Sequence, residues 1–76
     1  MIRYRVIPCA CSLPDGVCQI SYSLAAERLV GGNWIKAAVS PEISPDKDFV
    51  RRLAILYTRL QLDPIHLLDV LLDTLP

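Results

Sequence analysis

Leu24-Ala25-Ala26-Glu27-Arg28-Leu29-Val30-Gly31-Gly32-Asn33-Trp34-Ile35-Lys36-Ala37-Ala38-Val39 is the stretch that decides the fold. Gly31-Gly32 reads as a two-residue hairpin turn of the primed type, because both positions need positive φ and glycine takes it without a steric cost. That turn pairs Glu27 with Lys36 and Leu29 with Trp34. It also sets Ile35, Ala37 and Val39 on the same sheet face as Leu24 and Ala26.

Upstream, Leu13-Pro14-Asp15-Gly16-Val17 is a second turn signal. Proline presets the first corner and Gly16 suits the left-handed position that follows. Read as a three-residue loop, it opposes even positions to even positions, so Arg3 faces Glu27, and Tyr4 and Val6 share a face with Leu24 and Ala26. A two-residue loop would move Arg3 and Arg5 onto the face of Tyr22 and Leu24, because a one-step slip flips every side chain. The three-residue reading agrees with the Gly-Gly turn on one apolar face, and that agreement between levels is the strongest structural signal in the chain. The strands are therefore expected at about residues 2–12, 18–30 and 33–39. Pro8 places the first of them at a sheet edge.

Downstream, Ser44-Pro45 and Asp63-Pro64 each resemble a helix start, with a capping side chain followed by a proline at the first helical position. Asp46 and Asp48 suit the positive end of the first helix. Phe49, Leu53, Leu56, Tyr57 and Leu60 recur at helical spacing and predict a helix over 45–61, with Arg51, Arg52, Ile55, Thr58 and Arg59 outward. A second helix is expected over 64–75. The expected fold class is α+β: a three-stranded antiparallel meander followed by a two-helix hairpin packed on one sheet face, β-β-β-α-α, in a single small domain covering residues 1–76.

The closing helix carries more hydrocarbon than one sheet face requires. Ile65, Leu67, Leu68, Leu71, Leu72 and Leu75 sweep roughly 160° at about 100° per residue, whereas a helix on a sheet usually buries a stripe nearer 100° wide. The surplus calls for a second partner. The candidate interface is Leu67, Leu71 and Leu75, with Leu29 and Trp34 on the opposite sheet face as a second apolar cluster. Trp34 there also reads as a cross-strand pair shielding itself.

The ending Leu62-Asp63-Pro64-Ile65-His66-Leu67-Leu68-Asp69-Val70, with Asp73 and Leu75, resembles that of a family of short, uncharacterised Firmicutes proteins, a domain of unknown function. The resemblance rests on a Pro-x-x-Leu-x-Asp-Val-x-x-Asp pattern matched by Pro64, Leu67, Asp69, Val70 and Asp73, about a sixth of the chain. It implies a bacterial protein and carries no activity to transfer.

The chain has 76 residues, 53% of them hydrophobic, which excludes a disordered tail and allows only a thin core. Eight basic residues balance eight acidic ones. A nucleic-acid binder relies on excess Lys and Arg to neutralise phosphates, so that class is disfavoured. Arg51, Arg52 and Arg59 form a modest basic face without aromatic residues to stack bases.

Three cysteines, Cys9, Cys11 and Cys18, are an odd number that fits a reduced chain better than a secreted disulfide scaffold. Residues 1–7 lack the apolar core of a secretory signal, and no apolar run reaches the 18 or so residues of a membrane span. The expected address is the cytoplasm. Cys9-Ala10-Cys11 lacks the usual zinc-ligand spacing, and free thiols are the plainer reading.

His66, Asp69 and Asp73 form a polar strip at i, i+3 and i+7. Such a strip can bind a divalent ion or polarise a water, and more commonly is the solvated side of an apolar helix. No nucleophile–base pair or glycine-rich loop accompanies it. The expectation is a non-enzymatic interaction module without metal or cofactor, forming a homodimer through the closing helix. The alternatives are an adaptor or subunit for another protein and, third, a thiol- or metal-dependent regulator.

Overall fold

A computed structural model describes residues 1–12, 14–16 and 18–74, apart from the side chains of Cys11, Ser12 and Cys18. Leu75 and the thiols of Cys11 and Cys18 thus lie outside the described set. Three strands, β1 (Ile2–Ser12), β2 (Cys18–Val30) and β3 (Asn33–Val39), form an antiparallel sheet in the order β1-β2-β3. They are followed by α1 (Lys47–Leu60), a 3₁₀ turn at Pro64–His66, and α2 (Leu67–Thr74). The thirteen residues of β2 span roughly 43 Å at about 3.3 Å each, which accounts for the 45 Å long axis of the molecule. The fourteen residues of α1 reach only about 21 Å, so the helices cover part of the sheet. Beyond that cover Ile20 is half exposed.

Both strand pairings begin in the register the sequence predicts, although Leu13 and Val17 of the first turn lie outside the described residues. β1 and β2 pair with Arg3 opposite Glu27 and Tyr4 opposite Ala26, and Leu29 sits opposite Trp34 across Gly31 and Gly32, both at positive φ. The register of β2 and β3 then departs from expectation. Glu27 faces Lys36, but Ala26 faces Ala38, so Ala37 is the extra residue of a β-bulge. A bulge swaps the faces of everything beyond it. Ala38, rather than Ala37 and Val39, is therefore the residue packed against the core, and Val39 is exposed. Ile35 keeps its expected side, opposite Arg28, yet lies exposed past the end of the helical cover.

The shifted register continues into the connector. The Ser40 amide donates to the Leu24 carbonyl, and the Ser40 hydroxyl accepts from the Leu24 amide at 2.9 Å. Ile43 and Ser44 then bond Tyr22, so the connector runs on beside β2.

Because Ser44 is held in that bridge, α1 begins later than the Ser44-Pro45 signal suggests. Asp46 is the N-cap and accepts from the amides of Asp48 and Phe49. At the other helix start, Asp63 accepts from the Ile65 amide, but Pro64–His66 is 3₁₀ and the α-helix begins only at Leu67. The α1 helix ends on Gln61 in the left-handed region, at φ 52°. That turn aims the Gln61 side chain at β1, where its amide bonds both the N–H and the C=O of Ile2, at 2.9 and 2.8 Å. Thr58 accepts from the Tyr4 amide one step along. Two side chains thus occupy backbone groups of an edge strand that otherwise invites a foreign strand.

The core lies between the even-numbered face of β1 and β2 and the two helices: Tyr4, Leu24, Ala26, Val50, Leu53, Ala54, Tyr57, Leu67 and Leu71. The rings of Tyr4 and Tyr57 meet edge-on at 5.6 Å, an arrangement that aromatic quadrupoles favour.

Candidate functional site

The inward phase of each helix determines which side chains are left for other work. In α1 the buried set is Val50, Leu53, Ala54 and Tyr57, spaced i, i+3, i+4, i+7. Leu56 and Leu60, expected in the core, are 46% and 65% exposed, and Phe49 packs at the core margin. Val50 and Ala54 replace them because the helix is rotated about 60° from the expected phase, with a buried arc of the same width. Leu56 and Leu60 are turned roughly 100° from it by the helical repeat.

In α2 the buried pair is Leu67 and Leu71, at 3% and 2% exposure. The sequence marks both as candidate interface residues, and both instead complete the core. The residues that α2 and its leading turn present outward are Ile65, Leu68 and Leu72, at 79%, 53% and 65%. The helical phase could have been taken from the polar strip: the residues opposite His66, Asp69 and Asp73 are Leu67 and Leu71. His66, Asp69 and Asp73 are all exposed. Among the described residues, no group of three or more His, Cys, Asp or Glu is placed to hold a metal ion.

Both helices pack against the same core, and each leaves an outward side. Arg51, Arg52 and Arg59 are exposed on α1, around the half-exposed Ile55. Asp69 and Asp73 are exposed on α2, beside Leu72. Among the described residues none of these five charged side chains forms an ion pair; the pairs join Arg3 and Arg5 to Glu27, and Arg28 to Asp63. An open groove of 430 Å³ runs between β1 and α1, lined by Val6, Arg51, Ile55, Thr58 and Arg59 with Tyr4 at its floor. A smaller cleft of 140 Å³ separates Val39 and Pro41 from Ile65 and Leu68.

The opposite sheet face has a different composition. The central strand places Ser23, Ala25 and Glu27 there, all buried although no helix covers them. The flanking strands provide the cover. The Arg3 guanidinium stacks 4.2 Å over the Trp34 ring and donates to Glu27 at 2.7 Å; Arg5 adds a longer contact at 3.4 Å. The hydrogen bond from Arg3 is the main cause that holds the Glu27 carboxyl below its ordinary pKa. Leu29 is 38% exposed opposite the half-buried Trp34. Cys9 lies on this face 3.4 Å from the Ser23 hydroxyl. Trp34 thus shields a polar cluster.

Within the core, Tyr4 donates its phenol to the Leu62 carbonyl at 2.7 Å. Burial, with Asp63 and Tyr57 nearby, raises its pKa to about 12. This hydrogen bond ties β1 to the segment that leads into Asp63.

No protein-family model, curated protein or solved structure matches the chain. No helix among the described residues is long and apolar enough to cross a membrane.

Proposed function

We propose that this protein is a non-enzymatic interaction module that self-associates through the outward surface of its two helices. The observation that carries the reading is the exposure of Ile65, Leu68 and Leu72 on one side of α2 and its leading turn, with Leu56 and Leu60 exposed on α1. Exposed leucines scattered singly need no explanation. Here five large aliphatic side chains belong to two helices of one layer, which is the pattern of a contact surface. An interface of standard size takes about 800 Å² from each partner, roughly a sixth of the 5196 Å² surface of this chain.

The opposite sheet face is the weaker choice, because Arg3 already stacks on Trp34. The resemblance of the closing helix to short Firmicutes proteins fits this reading and adds no chemistry to it. The odd cysteine count supports the cytoplasm as the proposed compartment.

Light scattering coupled to size exclusion, over a dilution series of the wild-type chain, tests the proposal. A mass of twice one chain that falls on dilution is expected. A mass of one chain at every concentration would overturn self-association and leave the adaptor role, with the same surface turned to a different protein.

A further inference from the structure

The outward helical surface divides by charge as well as by hydropathy. On α1, Asp46 and Asp48 sit at the first turn, and the outward side beyond them is basic: Arg51, Arg52 and Arg59 around Ile55. On α2 the outward side is acidic, Asp69 and Asp73 beside Leu72, with His66 the other exposed polar residue of that strip. Among the described residues neither set has an ion-pair partner within its own chain. An exposed basic strip on one helix and an exposed acidic strip on the other, with Leu56 and Leu60 exposed as well, can meet their opposites in a second copy across a two-fold axis. Self-complementarity of that kind is what a symmetric dimer interface requires.

We propose that the partner of this surface is a second copy of the chain, docked crosswise. The Asp69–Asp73 strip of each copy lies against the Arg52–Arg59 face of the other, with Leu72 of one copy meeting Ile55 and Leu56 of its mate. This rests on the self-association reading above and gives it a geometry. Arg52 and Arg59 stand about 10 Å apart along α1, and Asp69 and Asp73 about 6 Å apart along α2; the long arginine side chains reach across the difference. The formal net charge of zero means that no overall repulsion opposes the approach of two copies. Opposed charges across the rim also set the register, which the leucines alone do not do.

Two charge-reversed chains test the arrangement, Asp69→Lys with Asp73→Lys, and Arg52→Glu with Arg59→Glu. All four positions are exposed, so both chains are expected to fold, as circular dichroism will check. Each alone places like charges together in both contacts of the dimer, and its dissociation constant should rise roughly tenfold or more. An equimolar mixture restores opposite charges in both contacts and should form a heterodimer about as tight as wild type.

Both reversed chains dimerising like wild type, or a mixture no tighter than either alone, would overturn the crosswise arrangement. If Leu72→Asp still abolished the dimer, self-association through the helices would stand without it. A wild-type chain monomeric throughout would overturn both proposals.

Should a reversed chain not fold, Arg59→Lys keeps the charge and admits carbodiimide coupling in a mixture of isotopically light and heavy chains. Coupling of position 59 to Asp69 or Asp73 between a light and a heavy chain supports the proposal. Coupling within single chains only overturns it.

Discussion

Leu71 and Leu72 are adjacent and chemically identical, yet one is 2% exposed and the other 65%. The first completes the core beneath Tyr57 and Leu67; the second belongs to the outward surface. The 100° that separates successive helical residues therefore separates a residue that folding uses from one that the proposed association would use. The lesson is that an apolar helix wider than its stripe has to be divided before its leucines are interpreted. The Asp69–Asp73 strip marks the side that faces away from the core.

The largest effect is expected on the buried side. Leu71→Ala should lower unfolding stability by about 2–5 kcal/mol, the usual cost of removing buried methyl groups and leaving a cavity, as read by denaturant titration at a dilution that favours the single chain. Leu72→Asp should leave single-chain stability within about 0.5 kcal/mol and act on assembly instead. If the two substitutions had equal effects on stability, the division of α2 into two stripes would be wrong.

A second pair of predictions compares the two faces of β2, buried by different physics: aliphatic and aromatic packing on the helical side, a stacked ion cluster on the other. On the helical side, Tyr4→Phe should cost about 1 kcal/mol at neutral pH for the lost bond to the Leu62 carbonyl. Because burial raises the Tyr4 pKa to about 12, the unfolded chain loses this proton first. Stability is therefore full below about pH 10, where an unperturbed tyrosine titrates, and declines as pH rises from there toward 12. The phenylalanine variant should show a flatter alkaline limb in thermal melts.

The opposite face should show the smaller and mirrored effect. Glu27 has a lowered pKa, so its contribution is present above the ordinary carboxylate range and fades as pH falls through the lowered value. Glu27→Gln should flatten the acid limb of the melting profile and leave the alkaline limb unchanged. An acid limb that stays as steep in the variant would show that the Arg3–Glu27 contact is solvated in the native state.

Much of this organisation was legible in the residues. Gly31-Gly32 and the Pro14-Asp15-Gly16 turn fix the strand register, and alternation along Ile2, Tyr4 and Val6 identifies the buried face. The bulge at Ala37 was not legible. Three alanine or valine residues in a row give no alternation, and the shifted register is continued outside the strand by Ser40 bonding Leu24. The start of α1 at Asp46 was obscured for a similar reason: two capping residues stand two apart, and a bridge to Tyr22 removes the earlier one.

The outward leucines were passed over because periodicity reports an arc and not its centre. The centre shows in the polar strip of His66, Asp69 and Asp73 and in the packing of Leu67 and Leu71 into the core. The role of Gln61 had no local signal at all, since it depends on a left-handed backbone that brings its amide to Ile2.

The most direct test of the account is the solution mass of Leu72→Asp beside wild type at matched concentration, by light scattering after size exclusion. The account predicts a wild-type dimer and a folded, monomeric variant. A variant that dimerises like wild type would contradict it and place the contact elsewhere than on α2.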